Sequence, residues 1–406
     1  MKNDILNFLE IQGYKLVSVE ENNDSLIVSV LKKGIKDICP LCGRSRKISI
    51  HAKGKWSLKK HSNFQEKQIY LKVQRNRLIC LRCKKVFSEY LPGIDLRFRK
   101  TNNFVKQSLK YLSKNSFNEV ANVNACSYSS LKKQLYSHVN PYRLLDEAIK
   151  SLNELKEVYL GFDGQSFRGQ EMVLTITELK TKKVITVLPS EHKRDLIKFL
   201  EYLPLDLRLQ VKGISVDMTN KNKYVLEQYF PNALIVIDHF HVVSCAIRAV
   251  QNLRRTIQSV VGRQIDIKKL LDKSSYKLSS SEKNTLIRYF MEYPEIKEAY
   301  LLKERVVNLY KIRNPRKAEH KFRQIIFDLS NSKEDDLKEL GRTLKRWDKK
   351  ILNYFQCRIT NAFTEGIHTK CKLIKRKSYG FRNVETYVRK LILGLLPFIT
   401  IISLHT

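Results

Sequence analysis

The chain has 406 residues, 43% of them hydrophobic, and its 76 Lys and Arg against 40 Asp and Glu give a formal net charge of +36. This length exceeds the usual limit of a single hydrophobic core, so about two to four domains are expected. The basic balance indicates a nucleic-acid partner rather than a membrane, because the longest apolar run, Leu391 to Leu404, is short and interrupted by Gly394 and Pro397.

The cysteines predict a metal site rather than disulfides. The chain has 8 cysteines and its first residues show no secretory apolar core, so we expect a cytoplasmic chain with reduced thiols. Four of them form two Cys-x-x-Cys pairs, Cys39 with Cys42 and Cys80 with Cys83. Each pair can place two thiolates on one side of a tight turn, and together they predict a tetrahedral structural zinc site. His51 and His61 lie in the long spacer, which leaves mixed Cys/His ligation and unmetallated or redox cysteines as alternatives.

Two patterns in the amino-terminal part indicate contact with nucleic acid. Gln68 to Ile79 alternates apolar and basic residues in places, as a half-exposed strand along a phosphate backbone would. Asn103 to Val139 predicts three short helices, and the close spacing of the last two is typical of a helix-turn-helix. The last helix would then offer Lys132 and Lys133 to DNA; a plain helical linker is the alternative.

From Glu157 onward, the sequence consists of short apolar runs separated by polar residues. Three predicted strands are followed by a helix, a strand, a second helix and a last strand ending in ALIVID. This order predicts a mixed α/β sheet. Residues from about Ser244 to Asn353 are rich in charged residues with helical periodicity, which predicts an all-helical insertion.

Three aspartates lie at the ends of these apolar runs. Asp163 follows the first run, Asp217 closes the fourth and Asp238 ends the last. Groups near strand ends of an α/β sheet converge on a common crevice, so these acids are expected to be neighbours. Like charges held close are costly unless a cation lies between them. Each aspartate alone is equally consistent with a turn residue or a helix cap.

A single acid, Glu365, lies in the otherwise basic helical segment from Arg358 to Arg382. At 3.6 residues per turn Glu365 shares a face with Asn361, His368 and basic residues, and an apolar stripe lies on the other face. We expect the stripe to be buried and the Glu365 face to point outward. The basic residues considered for DNA contact here are Lys372, Lys375 and Arg376. The alternative is a solvated helix in which Glu365 pairs with Thr369 or Lys372.

Taken in order, these motifs resemble bacterial insertion-sequence transposases of the DDE class, in particular the ISL-three type. The resemblance rests on the two cysteine pairs, the helix-turn-helix-like segment and four short stretches, which are Phe162-Asp163, Ser215-Val216-Asp217-Met218, Ile237-Asp238-His239-Phe240-His241 and Thr364-Glu365-Gly366 with the basic run after it. It departs from the family pattern at Gly164 and His239, where the family usually has Glu and Arg.

The resemblance implies a multidomain α/β fold with an RNase H-like catalytic core. The expected regions are a zinc-binding DNA-recognition module at 1–98, a helix-turn-helix at 99–145, the core at 150–244 with 354–406, and the helical insertion at 245–353. It assigns Asp163, Asp217 and Glu365 as catalytic ligands of Mg²⁺ or Mn²⁺, with Asp238 and His241 as possible supporting residues or simple anchors of the strand end.

The function implied is metal-dependent cleavage at insertion-sequence ends followed by strand transfer into target DNA. Partners would be double-stranded DNA, both terminal inverted repeats and target, and further copies of this chain, without a membrane. The alternatives are an inactive DNA-binding relic or repressor derived from a transposase, a nuclease that cuts without joining, and a basic RNA-binding protein with a zinc ribbon.

Overall fold

The structure, a computed structural model, describes residues 2–35, 37–64, 67–94, 99–218, 222–398 and 401. The chain divides into two compact units, one comprising residues 1–140 with 373–406 and the other residues 141–372. Residues 373–406, expected to lie in the same region as 354–372, are thus grouped with the amino-terminal residues. None of the described helices is both long and apolar enough to span a membrane.

The amino-terminal part of the first unit is built mainly of β-strands. A four-stranded sheet has the order β1-β2-β5-β4, with β2 and β5 parallel, and a three-stranded antiparallel sheet has the order β3-β6-β7. After the first helix, α1 (Lys2–Phe8), the strands are β1 (Tyr14–Glu21), β2 (Ser25–Lys32), β3 (Ile48–Ala52), β4 (Trp56–Phe64), β5 (Lys67–Gln74), β6 (Arg77–Cys80) and β7 (Val86–Ser88).

The single strand predicted over Gln68 to Ile79 is wrong, because two strands in different sheets occupy this segment. β5 alternates as expected, with Ile69, Leu71 and Val73 buried in the core of the first sheet. The chain leaves that sheet at Asn76, whose backbone N–H donates to the Glu89 carboxylate at 3.0 Å.

The three helices predicted over 103–139 are confirmed as α2 (Asn102–Leu112), α3 (Phe117–Val123) and α4 (Tyr128–His138). Each helix is preceded by a residue whose side-chain hydroxyl accepts a hydrogen bond from a backbone N–H of the first turn. These residues are Thr101, Ser116 and Ser127. Cys126, expected to be buried, is half-buried in the turn before α4.

The carboxyl-terminal segment ends the first unit with helix α18 (Val384–Leu395), numbered by its place in the chain. The part of the predicted buried run at Leu391–Leu393 is buried as expected. Residues 399, 400 and 402–404 of that run lie outside the described residues.

The second unit contains the predicted mixed α/β sheet, in the order β10-β9-β8-β11-β12. The first three strands pair antiparallel, and β8, β11 and β12 pair parallel. The elements are α5 (Pro141–Asn153), β8 (Val158–Arg168), β9 (Glu171–Glu178), β10 (Lys183–Leu188), α6 (Lys193–Tyr202), α7 (Leu205–Gln210), β11 (Val211–Val216), α8 (Lys223–Tyr229) and β12 (Leu234–Ile237).

Helices make up the rest of the second unit. A long helix starts directly after β12 and ends at Gly262, whose φ of +68° suits a helix terminus. The helices are α9 (His239–Val261), α10 (Lys268–Asp272), α11 (Ser280–Glu292), α12 (Pro294–Leu309), α13 (Pro315–Asn331), α14 (Asp335–Arg346), α15 (Asp348–Leu352), α16 (Tyr354–Cys357) and α17 (Ala362–Lys377). Apolar residues of α9 to α16 join those of the sheet in one hydrophobic core. The last residues of α17, 373–377, are grouped with the first unit.

Candidate functional site

Four cysteines of the first unit form one compact cluster. The Sγ atoms of Cys39 and Cys83 lie 3.5 Å apart, those of Cys42 and Cys80 lie 3.8 Å apart, and all four lie within 4.8 Å of one another. A tetrahedral zinc ion with Zn–S bonds of about 2.3 Å needs sulfur atoms about 3.8 Å apart. The cluster therefore has the dimensions of a structural zinc site.

Each cysteine pair is shaped by its own tight turn. The backbone N–H of Gly43 donates to the Cys39 carbonyl at 2.9 Å, and that of Lys84 donates to the Cys80 carbonyl at 2.8 Å. Backbone N–H groups of Cys83 and Arg82 also lower the pKa of the Cys80 thiol to about 7. A thiol with that pKa is readily available as the thiolate that zinc requires.

Neither histidine of the spacer belongs to the cysteine cluster. His61 is buried, with Nδ1 3.0 Å from the Thr101 hydroxyl and Nε2 2.7 Å from the Leu9 carbonyl. His51 is exposed on β3. The structure therefore supports ligation by four cysteines and does not support mixed Cys/His ligation.

The aspartates predicted at strand ends meet on one side of the sheet in the second unit. Asp217 follows β11 directly, and Asp238 follows the neighbouring strand β12, where its backbone N–H donates to the Val216 carbonyl at 3.0 Å. Asp163 is not at a strand end as expected, because β8 continues through it to Arg168 by pairing with β9. Since β8 and β11 are parallel neighbours, Asp163 still lies beside Asp217.

Helix α17 brings Glu365 to these aspartates. The buried Thr364 and Thr177 hydroxyls lie 2.7 Å apart, which joins α17 to β9. Gly161 in β8 leaves room for the helix, because a Cβ there would lie 2.8 Å from the Asn361 side-chain oxygen. Glu365 is thus held over the centre of the sheet.

The expectation that the Glu365 face points outward is wrong. Asn361 is fully buried and His368 is only 8% exposed, and Glu365 between them is partly exposed. The physical reason is that α17 covers the sheet, so its polar face meets the aspartates while Ile367 and Cys371 of the apolar stripe pack inside. The alternative pairing also differs, since the Thr369 hydroxyl donates to the Glu365 backbone carbonyl rather than to its carboxylate.

The four acids and one histidine form two overlapping groups, each with ligand atoms within 4.8 Å of one another. One group contains Asp163, Asp217 and His241, and the other contains Asp238, His241 and Glu365. Burial, followed by the charges of Asp217, Glu365 and Asp238, raises the pKa of Asp163 to about 7. Burial and the Asp238 charge likewise raise the pKa of Glu365. Several carboxylates held this close together are stable in their charged form at neutral pH when a cation offsets the repulsion between them.

The chemistry of these side chains fits Mg²⁺ or Mn²⁺. Both carboxylate oxygens of Asp238 are buried without a hydrogen-bond partner among the described residues, so they are available to an ion. Hard carboxylate oxygens are the ligands that Mg²⁺ and Mn²⁺ prefer. The site can therefore hold divalent metal.

Two residues beside the acids were not predicted as part of the site. His368 Nδ1 lies 3.5 Å from Asp163 Oδ2, but burial lowers the pKa of His368 to about 4, so at neutral pH this contact joins a neutral imidazole to the acid. Glu191 packs against Gly164, where a Cβ would lie 1.5 Å from Glu191 Oε1. The glycine after Asp163 was the one sequence signal of this close approach.

The basic residues predicted to contact DNA lie on two helices. On α4, Lys133 is exposed and Lys132 is half-buried, with its Nζ 5.6 Å from the Tyr136 ring centre. On α17, Lys372 and Arg376 are exposed and Lys375 is partly exposed.

Comparison with known proteins points to one family. The family model described as Transposase, of the DDE class and ISL-three type, matches residues 160–391, more than half of the chain. Among curated proteins, the chain is similar to the transposase for insertion sequence element IS1001 of Bordetella parapertussis. The two are 24% identical over 392 residues, which cover 94% of this chain and 95% of that protein.

Proposed function

Because the chain belongs to the transposase family of the ISL-three type, we propose that it cuts DNA at insertion-sequence ends and joins the freed 3′ ends to target DNA. The chain is a DNA transposase, and hence a DNA-processing enzyme. The proposal adds that Asp163, Asp217 and Glu365 are the metal ligands of the reaction.

The observation that carries this proposal is the meeting of these three acids. They come from the middle of one strand, the end of its parallel neighbour and a helix near the end of the unit. The burial of Asp163 beside them has no structural benefit of its own, since buried like charges destabilise a fold. A metal site is the arrangement that such a cluster suits best.

The acids and His368 have separate roles in the proposed reaction. Mg²⁺ or Mn²⁺ supplies the activation of a water nucleophile and stabilisation of the leaving 3′ oxygen. Pairing of β8 with β11 positions the carboxylates of Asp163 and Asp217. The hydrogen bond between Thr364 and Thr177 positions the helix that carries Glu365. His368 lies against Asp163 and is neutral at neutral pH, so it adds no positive charge that would oppose metal binding.

The sheet order supports an RNase H-like core at 150–244 with 354–406, interrupted by the helical insertion at 245–353. Three antiparallel strands followed by two parallel ones place the first two acids on adjacent central strands. The proposed amino-terminal regions are the zinc-binding recognition module at 1–98 and the helix-turn-helix at 99–145. The cysteine cluster supports zinc in the first of these.

The turn between α3 and α4 is held rigidly, as DNA reading by a helix-turn-helix requires. Lys60 Nζ donates to the carbonyls of Asn124 and Ala125 at 2.5 and 3.0 Å. Asn63 donates to the Val123 carbonyl at 2.8 Å. Lys132 and Lys133 would contact the terminal inverted repeats, whereas the Ser130 hydroxyl already accepts a hydrogen bond from Lys100.

A further part of the proposal concerns the assembly on DNA. Transposition joins two ends, so we expect a homo-oligomer bound to both. Lys372, Lys375 and Arg376 at the end of α17, the helix that carries Glu365, are proposed to contact the DNA backbone.

The test is a cleavage and strand-joining assay with the full chain, Mg²⁺ or Mn²⁺, and the DNA that flanks its own coding region. Metal-dependent nicks at defined ends, followed by joined products, are expected from the wild type and not from Glu365→Gln. Glu171→Gln on the exposed start of β9 is the matched control and should retain activity. Binding without cleavage would indicate a DNA-binding relic, and cleavage without joining would indicate a nuclease.

A further inference from the structure

The Asp238 carboxylate has no hydrogen-bonding partner in the part of the chain that the structure describes. The residue is 1% exposed, and both of its oxygens are buried without a hydrogen bond among the described residues. A buried carboxylate left in this state is strongly destabilising unless a partner offsets the charge. His239 Nδ1 lies 3.3 Å from one Asp238 oxygen, and within the described part of the chain that nitrogen also lacks a hydrogen-bonding partner.

A capping role does not explain Asp238. The residue occupies the position before the first turn of α9, where an aspartate usually accepts backbone N–H groups through its side chain. Here the side chain makes no such bond, and the N–H groups of His241 and Val242 donate to the Asp238 backbone carbonyl instead. The carboxylate is therefore directed to something other than the helix.

The carboxylate instead lies with other candidate ligands. Asp238, Glu365 and His241 have ligand atoms within 4.8 Å of one another, and His241 lies within the same distance of Asp163 and Asp217. The acids thus fall into two pairs that share one imidazole. Two-ion sites for phosphoryl transfer place their ions about 3.5 to 4 Å apart, which two adjacent pairs of carboxylates can accommodate.

We propose that Asp238 is a fourth carboxylate ligand, and that it holds the second ion with Glu365 while Asp163 and Asp217 hold the first. This inference rests on the proposed function, because it assigns ligands within the same centre. It changes the role of Asp238 from a support to a direct ligand, and it makes His241, which both groups share, a positioning residue.

The experiment measures Mn²⁺ binding to the full chain by electron paramagnetic resonance and by the Mn²⁺-dependent rise in Tm, without any cleavage readout. Asp238→Asn is the informative variant, because Asn has nearly the same size, removes the negative charge and replaces one carboxylate oxygen by an amide NH2, and no side-chain cap of α9 is lost with it. We expect Asp238→Asn and Asp163→Asn each to lose one of about two bound ions. Asp195→Asn, whose carboxylate accepts a bond from the Ser190 hydroxyl, should keep both.

The outcomes separate this inference from the proposed function. Two ions retained by Asp238→Asn, with only a 10- to 100-fold loss of affinity or none, would mark a supporting residue and overturn the inference. If Asp163→Asn loses an ion in the same series, the proposed function stands. If the wild type and all variants bind Mn²⁺ equally poorly, the metal centre itself is refuted and the inference falls with it.

Discussion

The cysteine cluster of the first unit and the carboxylate cluster of the second are both suited to metal, but they are built in opposite ways. Each half of the cysteine cluster is one tight turn, in which the backbone N–H of Gly43 or Lys84 closes the loop around its pair. The carboxylate cluster draws on strands β8, β11 and β12 and on helix α17. A short motif can therefore specify a structural metal site, whereas a catalytic one depends on the whole unit.

The two clusters also differ in electrostatic cost. Backbone N–H groups lower the pKa of Cys80 and so favour this one thiolate, whereas burial and the neighbouring cysteines raise the pKa of Cys42 and Cys83. In the carboxylate cluster, burial and neighbouring acids raise the pKa of Asp163 to about 7, so the fold alone opposes the charged form. In the first cluster, local hydrogen bonds favour the thiolate form of Cys80. In the second, the charged form of Asp163 is favoured only when a cation offsets the neighbouring acids.

The largest effect is expected from removing one acid of the carboxylate cluster. Asp163→Asn or Asp217→Asn should lower metal-dependent cleavage by about 10³-fold or more, because an ion that stabilises the transition state by several kcal/mol is lost. End binding, measured by gel shift in the same buffer, should change less than about 3-fold. An equal loss of binding would show that these acids support the fold, and the contrast between the clusters would disappear.

Removing one cysteine should affect recognition before chemistry. Cys80→Ser should lose the zinc ion, measured by elemental analysis of the purified chain, and weaken end binding by about 10- to 100-fold as the module loosens. Cys126→Ser, a half-buried cysteine outside the cluster, is the control and should keep its zinc. Full zinc content in Cys80→Ser would refute the four-cysteine site.

The two clusters should also respond to pH in opposite directions. The pKa of Asp163 is about 7 in the folded chain and 3.8 in the unfolded chain. Protonation of Asp163 therefore stabilises the folded chain fully below pH 3.8, and this stabilisation is lost as pH rises through 7. Without added Mg²⁺ or Mn²⁺, Tm should therefore fall between about pH 4 and pH 7, and less so in Asp163→Asn. Acid should instead release zinc, because the cysteine ligands must be thiolates.

This comparison is measured by differential scanning calorimetry of both chains across that range, with zinc content followed in parallel. Added Mn²⁺ should reduce the pH dependence of the wild type and leave the variant nearly unchanged. Identical slopes for the two chains would show that Asp163 titrates normally and that the acids do not form one cluster.

The smallest effects are expected at the basic residues. Lys133→Ala or Arg376→Ala should weaken DNA binding a few-fold for any sequence and lower the slope of log affinity against log salt by about 0.9 per lost phosphate contact. Lys283→Ala, an exposed lysine outside the predicted sets, is the control. An unchanged salt slope in Lys133→Ala would remove α4 from the proposed DNA-contacting surface.

Local patterns predicted most elements of the fold. Helix periodicity predicted α2, α3 and α4, and short apolar runs predicted the order of strands β8 to β12 along the chain. Errors arose where pairing overrode the local pattern. β8 continues past Asp163 because β9 pairs with it, and the segment after Gln74 changes sheets because Asn76 is held by Glu89.

By itself, the sequence indicated the cysteine pairs, because spacing and residue type are sufficient for a tight turn. The choice of Asp163, Asp217 and Glu365 as metal ligands came from the family resemblance and stays a proposal. Only the tertiary structure decided what those acids face. Packing of α17 over Gly161 directs Asn361 and His368 inward. Tertiary contacts also bring Glu191 beside Gly164, and they leave the buried Asp238 carboxylate with no hydrogen-bonding partner in the described part of the chain. Periodicity indicates which residues share a face, but the direction of that face depends on long-range packing.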